Sequence, residues 1–172
     1  MAVDHLNVIE RKLIDNLRAG LYNTTAGIGS GTAWSEGDIT VFGQFPETED
    51  VQYPCIVVEQ MANGIEQQFM GQLLTSGGSD AIGELYGIGF GITCAVEIES
   101  SMTVNATAYK QRRLINYLMN NCANILMDCD FNTTDTEATE RLFSGFSRIG
   151  YNRTSEVWAA SCNLVLVFKN TR

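Results

Sequence analysis

Tyr86–Glu99 reads YGIGFGITCAVEIE, and this stretch decides the fold. Tyr86, Ile88, Phe90, Ile92, Cys94, Val96 and Ile98 occupy one parity. Gly87, Gly89, Gly91, Thr93, Ala95, Glu97 and Glu99 occupy the other. Successive side chains of a strand point to opposite faces, so this is a period-two pattern with one core face. The second face is small at its start and acidic at its end. Glycine inside a strand weakens it and often marks close approach by another backbone. That neighbour is expected to be a helix of the same chain or another subunit.

Other elements can be placed outward from this strand. Upstream, YPCIVVEQM (Tyr53–Met61) is apolar on both faces from Cys55 to Val58, as suits a central strand covered on both sides. ITVFGQF (Ile39–Phe45) reads as a short strand stopped by Pro46. Residues 4–21 carry Leu6, Ile9, Leu13, Leu17 and Leu21 at helical spacing, with Asp4 as N-cap and Gly20 near a C-cap. Downstream, residues 106–127 form a second amphipathic helix, with Leu114, Leu118, Cys122 and Ile125 on one face. The end of the chain reads as a hairpin, with arms at about 141–151 and 156–169, the second placing Trp158, Ala160, Cys162, Leu164, Leu166 and Phe168 together. Residues 23–37, 62–85 and 128–140 read as loops. The expectation is one α+β domain over residues 1–172, with a mainly antiparallel sheet and both helices packed on one face.

Composition narrows the chemistry. The chain has 172 residues, 45% of them hydrophobic, enough for a real core. Its 20 acidic and 11 basic residues give a charge of −9, which disfavours a phosphate-binding groove. No apolar run approaches the roughly 18 residues of a membrane span, and no secretory leader is visible, so a soluble chain made in the cytoplasm is expected. The five cysteines are Cys55, Cys94, Cys122, Cys129 and Cys162. None is spaced as C-x-x-C, and most fall within apolar patterns, so buried free thiols are expected.

No catalytic signature matches the strand pattern in clarity. His5 is the single histidine and lies near the terminus. Gly27, Gly29 and Gly31 lack the lysine of a phosphate-binding loop. Glu97 and Glu99, about 7 Å apart on one strand face, could serve with Glu59 as acid and base. A solvated or intersubunit face is the simpler account. Lys110, Arg112 and Arg113 cluster in the first turns of the second helix, where the helix dipole disfavours cations. They suit an acidic neighbour.

The order of these elements resembles that of tail terminators of long-tailed bacteriophages and related head–tail junction (neck) proteins. The likeness rests on the amphipathic first helix, the Gly-rich loop, YPCIVVEQM, the long loop and YGIGFGITCAVEIES. It extends through the basic-led helix AYKQRRLINYLMNNCANIL and the closing strand WAASCNLVLVFKN. The resemblance implies a non-enzymatic virion protein without cofactor or metal. It would be made in the host cytoplasm and form a ring with copies of itself, commonly six. That ring would cap the tail tube, end its polymerisation and meet the head connector, with DNA passing through unbound. Its contacts would involve Gln68, Phe69 and Met70 on the long loop, the Glu97/Glu99 sheet edge and the Lys110, Arg112 and Arg113 patch. A head–tail adaptor or stopper fits the same pattern. A small carboxylate-dependent enzyme and a cytosolic ligand-binding domain are the alternatives of other classes.

Overall fold

A computed structural model describes residues 5–22, 39–43, 51–76, 79–104, 107–132 and 137–171. In chain order these form α1 (His5–Tyr22), β1 (Thr40–Phe42), β2 (Cys55–Ser76), β3 (Ser79–Glu97), β4 (Ser101–Val104) and β5 (Thr107–Lys110). They continue with α2 (Gln111–Asp128), β6 (Glu137–Phe146), β7 (Gly150–Asn152) and β8 (Val157–Thr171). The main sheet runs β1-β2-β3-β8-β6, with β7 also paired to β8, and β4-β5 form a separate ribbon. Only β1–β2 is parallel; the other pairings are antiparallel. The fold is therefore α+β, with a mainly antiparallel sheet, two helices and the expected C-terminal hairpin.

Ile88, Phe90, Ile92, Cys94 and Val96 are all fully buried. Directly opposed residues of paired strands share a face. Thus Ile88, Phe90, Ile92, Cys94 and Val96 stand beside Leu166, Leu164, Cys162, Ala160 and Trp158 of β8. Onto this surface pack Ile9, Leu13, Leu17 and Leu21 of α1 and Leu114, Leu118, Cys122 and Ile125 of α2. Each helix has 18 residues, a length marginal in isolation, so tertiary burial supplies most of its stability.

Where the helices cross, α1 needs glycine. A Cβ on Gly20 would lie 2.6 Å from Ile125 Cγ1 and 2.7 Å from its Cδ1. Gly20 lies inside α1, so its role is close approach, and the expected C-cap is corrected. Gly20→Ala should lower stability by about 1–2 kcal/mol, overpacking outweighing the gain in helix propensity. Urea titration of Gly20→Ala, Ile125→Ala and the double variant tests this. The double variant should lose less than the sum of the singles.

β2 is apolar on both faces because both are covered. Ile56 and Val58 belong to the main core, whereas Cys55 and Val57 join Ala95 and Val157 in a smaller cluster behind the sheet. Phe42, Val51, Tyr53 and Ala159 pack against that cluster. Further along the reverse face, Ser161 and Asn163 are exposed and Gly91 and Thr93 half-buried. Thr93 Oγ1 and Ser161 Oγ share a 2.8 Å hydrogen bond. Among the described residues the glycine face therefore receives no helix, because α1 and α2 both occupy the opposite face. A Cβ on Gly91 would instead meet Met61 Sδ at 3.1 Å.

Several boundaries differ from expectation. Residues 62–85 are not a loop: β2 continues to Ser76 and pairs with β3 from Ser79 onward. The polar composition hid this ribbon, and three register irregularities in β2 broke the alternation that would have revealed it. β3 stops at Glu97, so Ile98 and Glu99 fall in the following turn. Residues 107–110 do not open α2; Thr107–Lys110 pair with Ser101–Val104. In place of a linker to residue 140, β6 begins at Glu137. The first arm of the hairpin is split at 147–149, where Ser147 N–H donates to Ser161 O at 2.7 Å. Asn152 Oδ1 accepts from Thr154 N–H at 2.9 Å and shapes the turn into β8. The 23–37 loop, Asp4 and Pro46 lie outside the described residues.

Candidate functional site

The expected contact residues separate into two regions. Glu97 ends β3 and is exposed. Ser100 N–H donates to Glu97 O at 3.1 Å, and Ile98 N–H donates to Glu156 O at 2.9 Å. These bonds fold the chain directly from β3 into β4, where Ser101 faces Lys110. Glu97, Glu99, Lys110, Arg112 and Arg113 thus lie at one end of the sheet, all exposed. Glu97 and Glu99 do not share a strand face, because the turn begins between them.

The basic part of this corner is also aromatic. Arg113 Cζ lies 5.7 Å from the Tyr109 ring centroid. Tyr109 and Tyr117 rings stack at 4.5 Å with 31° between their planes. Lys110 is extended at the N-cap and makes no side-chain capping bond, and Gln111 has φ 48°. Cations, not carboxylates, occupy the start of α2 against its dipole. Arginine and tyrosine on an exposed surface match the composition of interface cores.

Gln68, Phe69 and Met70 are remote from this corner. They belong to β2, where Gln68 faces Glu84. Glu84 precedes Glu97 by 13 residues on β3, on the order of 40 Å of strand. The three side chains lie outside the described residues.

The carboxylates do not converge. Glu59 faces Gly91 across β2–β3, roughly 20 Å along the strand from Glu97. Acid–base carboxylate pairs stand about 5–9.5 Å apart. A shallow groove of about 390 Å³ does occur on the reverse face, lined by Tyr53, Thr93, Ala95, Asn152, Ser155 and Val157 among others. Its lining carries no carboxylate or cation, so it offers hydrogen bonds and apolar contact. Burial raises the Tyr53 pKa, reinforced by Cys55 and Glu97, which keeps its hydroxyl protonated. Among the described residues no group of three or more His, Cys, Asp or Glu side chains could hold a metal ion. His5 opens α1, and its side chain lies outside the described residues.

All five cysteines are free, and Cys55, Cys94, Cys122 and Cys162 are buried. Burial pushes Cys55 and Cys162 up to about 12. Cys129 rises to about 11 through burial, partly opposed by Arg141. Cys94 is held well above the usual thiol value by its hydrogen bond to Cys122 and by burial. These raised values add stability that is fully present below the ordinary pKa of 9.0. Above it the unfolded chain ionises while the folded chain keeps its protons, so stability should fall as pH rises toward about 12. Urea midpoints at about pH 8 and about pH 11 check this, and Cys55→Ala should flatten the slope.

The residues missed by sequence reading are mostly structural. Arg141 of β6 donates to the carbonyls of Leu126, Met127 and Cys129 at the end of α2. A cation at a helix C-terminus is a known signal, but this one comes from a strand 13 residues beyond Asp128. Met61 and Leu142, 60% and 58% exposed, mark an apolar reverse face that alternation alone did not separate from core. No described helix is long and apolar enough to cross a membrane. Compared with known proteins, the chain matches no family model and no curated protein.

Proposed function

We propose that this chain is a structural virion protein whose copies, commonly six, close into a ring at the end of a phage tail tube. The ring ends tube polymerisation and joins the tail to the head connector. One observation carries this reading. Leu73–Ser76 and Ser79–Ile82 pair with each other beyond the last β3–β8 pair, Gly83↔Thr171. Among the described residues this ribbon has no third strand. Two-stranded ribbons are marginal alone in water, so a neighbouring subunit is its natural support. Head-to-tail contacts of suitable rotation close into rings. The Glu97–Arg113 corner, on the order of 50 Å along β3 from Ile82, supplies a second surface for a neighbour. An acidic chain, at −9, lets DNA pass without retention.

Shortening the ribbon tests the proposal. Gln68 and Glu84 are paired, so an Asn-Gly turn can join them at the cost of one terminal β3–β8 pair, Gly83↔Thr171. The full chain is expected to form closed rings in negative-stain images, alone or with purified tube protein. The shortened chain should keep its circular dichroism but remain monomeric. A full chain that stays monomeric in both settings, or a shortened chain that still makes rings, refutes the reading. Binding to the tube or to the portal side separates a terminator from an adaptor or stopper.

A further inference from the structure

Cys94 on β3 and Cys122 on α2 hold their sulfurs 3.8 Å apart. Both side chains are fully buried. The two residues are 28 apart in sequence, and the intervening chain contains β4, β5 and the first part of α2. Cys162 shares this sheet face, because it faces Ile92 while Cys94 faces Ala160. Cys94 meets Cys122 sulfur to sulfur, and Cys162 lies near enough to Cys122 to interact with it electrostatically.

We propose that Cys94 and Cys122 form a latent cross-link, which a two-electron oxidant such as a peroxide closes into a disulfide that staples α2 to the sheet. One thiol loses its proton, and its sulfur attacks a peroxide oxygen. The O–O bond breaks, leaving a sulfenic acid and one water. The second sulfur, also deprotonated, attacks the first; the S–O bond breaks and a second water leaves. Two thiols have then given up two hydrogens and two electrons, and hydrogen peroxide has become two waters. The thiolate is the reactive form, and both sulfurs are enclosed in the core, out of reach of a dissolved oxidant. Closure therefore waits for a local opening in which α2 lifts from β3. The bond then constrains the unfolded chain, so the closed form resists the next opening. The device does not depend on ring assembly.

The full chain is treated with hydrogen peroxide in plain buffer and in urea just below its unfolding midpoint. It is then alkylated, digested and mapped by mass spectrometry. The expected product joins the Cys94 and Cys122 peptides with loss of two hydrogens. It should form much faster in urea than in buffer and shift the unfolding midpoint to higher urea, and dithiothreitol should reverse both effects. Cys162→Ala should still form it, and Cys122→Ala should not. A Cys122–Cys162 link, a bond that lowers the midpoint, or thiols that remain fully alkylatable after the urea treatment would overturn the proposal. The wild-type peptide map decides the matter even if Cys122→Ala fails to fold.

Discussion

Arg141→Ala is expected to lower stability by about 2–4 kcal/mol, far more than a half-buried strand position ordinarily costs. Its guanidinium donates to Leu126 O at 2.8 Å and also reaches the Met127 and Cys129 carbonyls. Cζ stands 4.8 Å from the centroid of the Phe131 ring, which is fully buried. The last carbonyls of a helix lack intrahelical partners, and they carry the negative end of the dipole. α2 has no basic residue of its own in its last turn, so β6 supplies one. Alanine would leave several carbonyls underbonded and uncover Phe131. Arg141→Lys keeps the charge but loses the planar fork, and should recover less than half of the loss. Urea denaturation checks the pair of variants. A loss under about 0.5 kcal/mol for alanine would mean that solvent replaces the guanidinium without penalty.

Phe90→Ala should cost about 3–5 kcal/mol, against a total stability on the order of 5–15 kcal/mol. Phe90 is fully buried, with Leu164 on one side and the helices above it. Leu142→Ala, on the other face opposite Val165, should change stability by less than about 0.5 kcal/mol, since Leu142 is 58% exposed. The contrast tests which sheet face is the core. Comparable losses at the two positions would require that the reverse face be covered in the free chain. A loss confined to Phe90 leaves that face available to another molecule.

How much of the fold was legible varied with the type of pattern. Tyr86–Glu99 and Trp158–Phe168 showed strict alternation; the first is a strand as far as Glu97 and the second throughout, with Ile88–Val96 and Ala160–Phe168 burying the expected parity. Leu114, Leu118, Cys122 and Ile125 recurred at helical spacing, and all face the core. The region 62–85 lacked a consistent period, and its strands escaped notice. LLTSGGSDAIGE read as turn-like and polar, but nothing in its composition showed that Leu73–Ser76 pairs with Ser79–Ile82. Thr107–Lys110 was absorbed into α2 because its residues have no periodic apolar face.

The candidate site was less legible than the fold. Lys110, Arg112 and Arg113 stood out by composition, and they do share a corner with Glu97 and Glu99. Nothing in the sequence placed that corner some 40 Å along β3 from Gln68, because only pairing register sets the distance.

By itself the sequence determined which residues turn inward, since hydrophobic periodicity selects helix or strand and assigns its buried side. Tertiary structure decided what lies on each side. It put both helices against Phe90 and left Gly91 to Met61, drew Arg141 onto the end of α2, and brought Cys94 against Cys122. Those contacts join residues far apart in the chain, and local patterns carry no information about partners that only packing brings together.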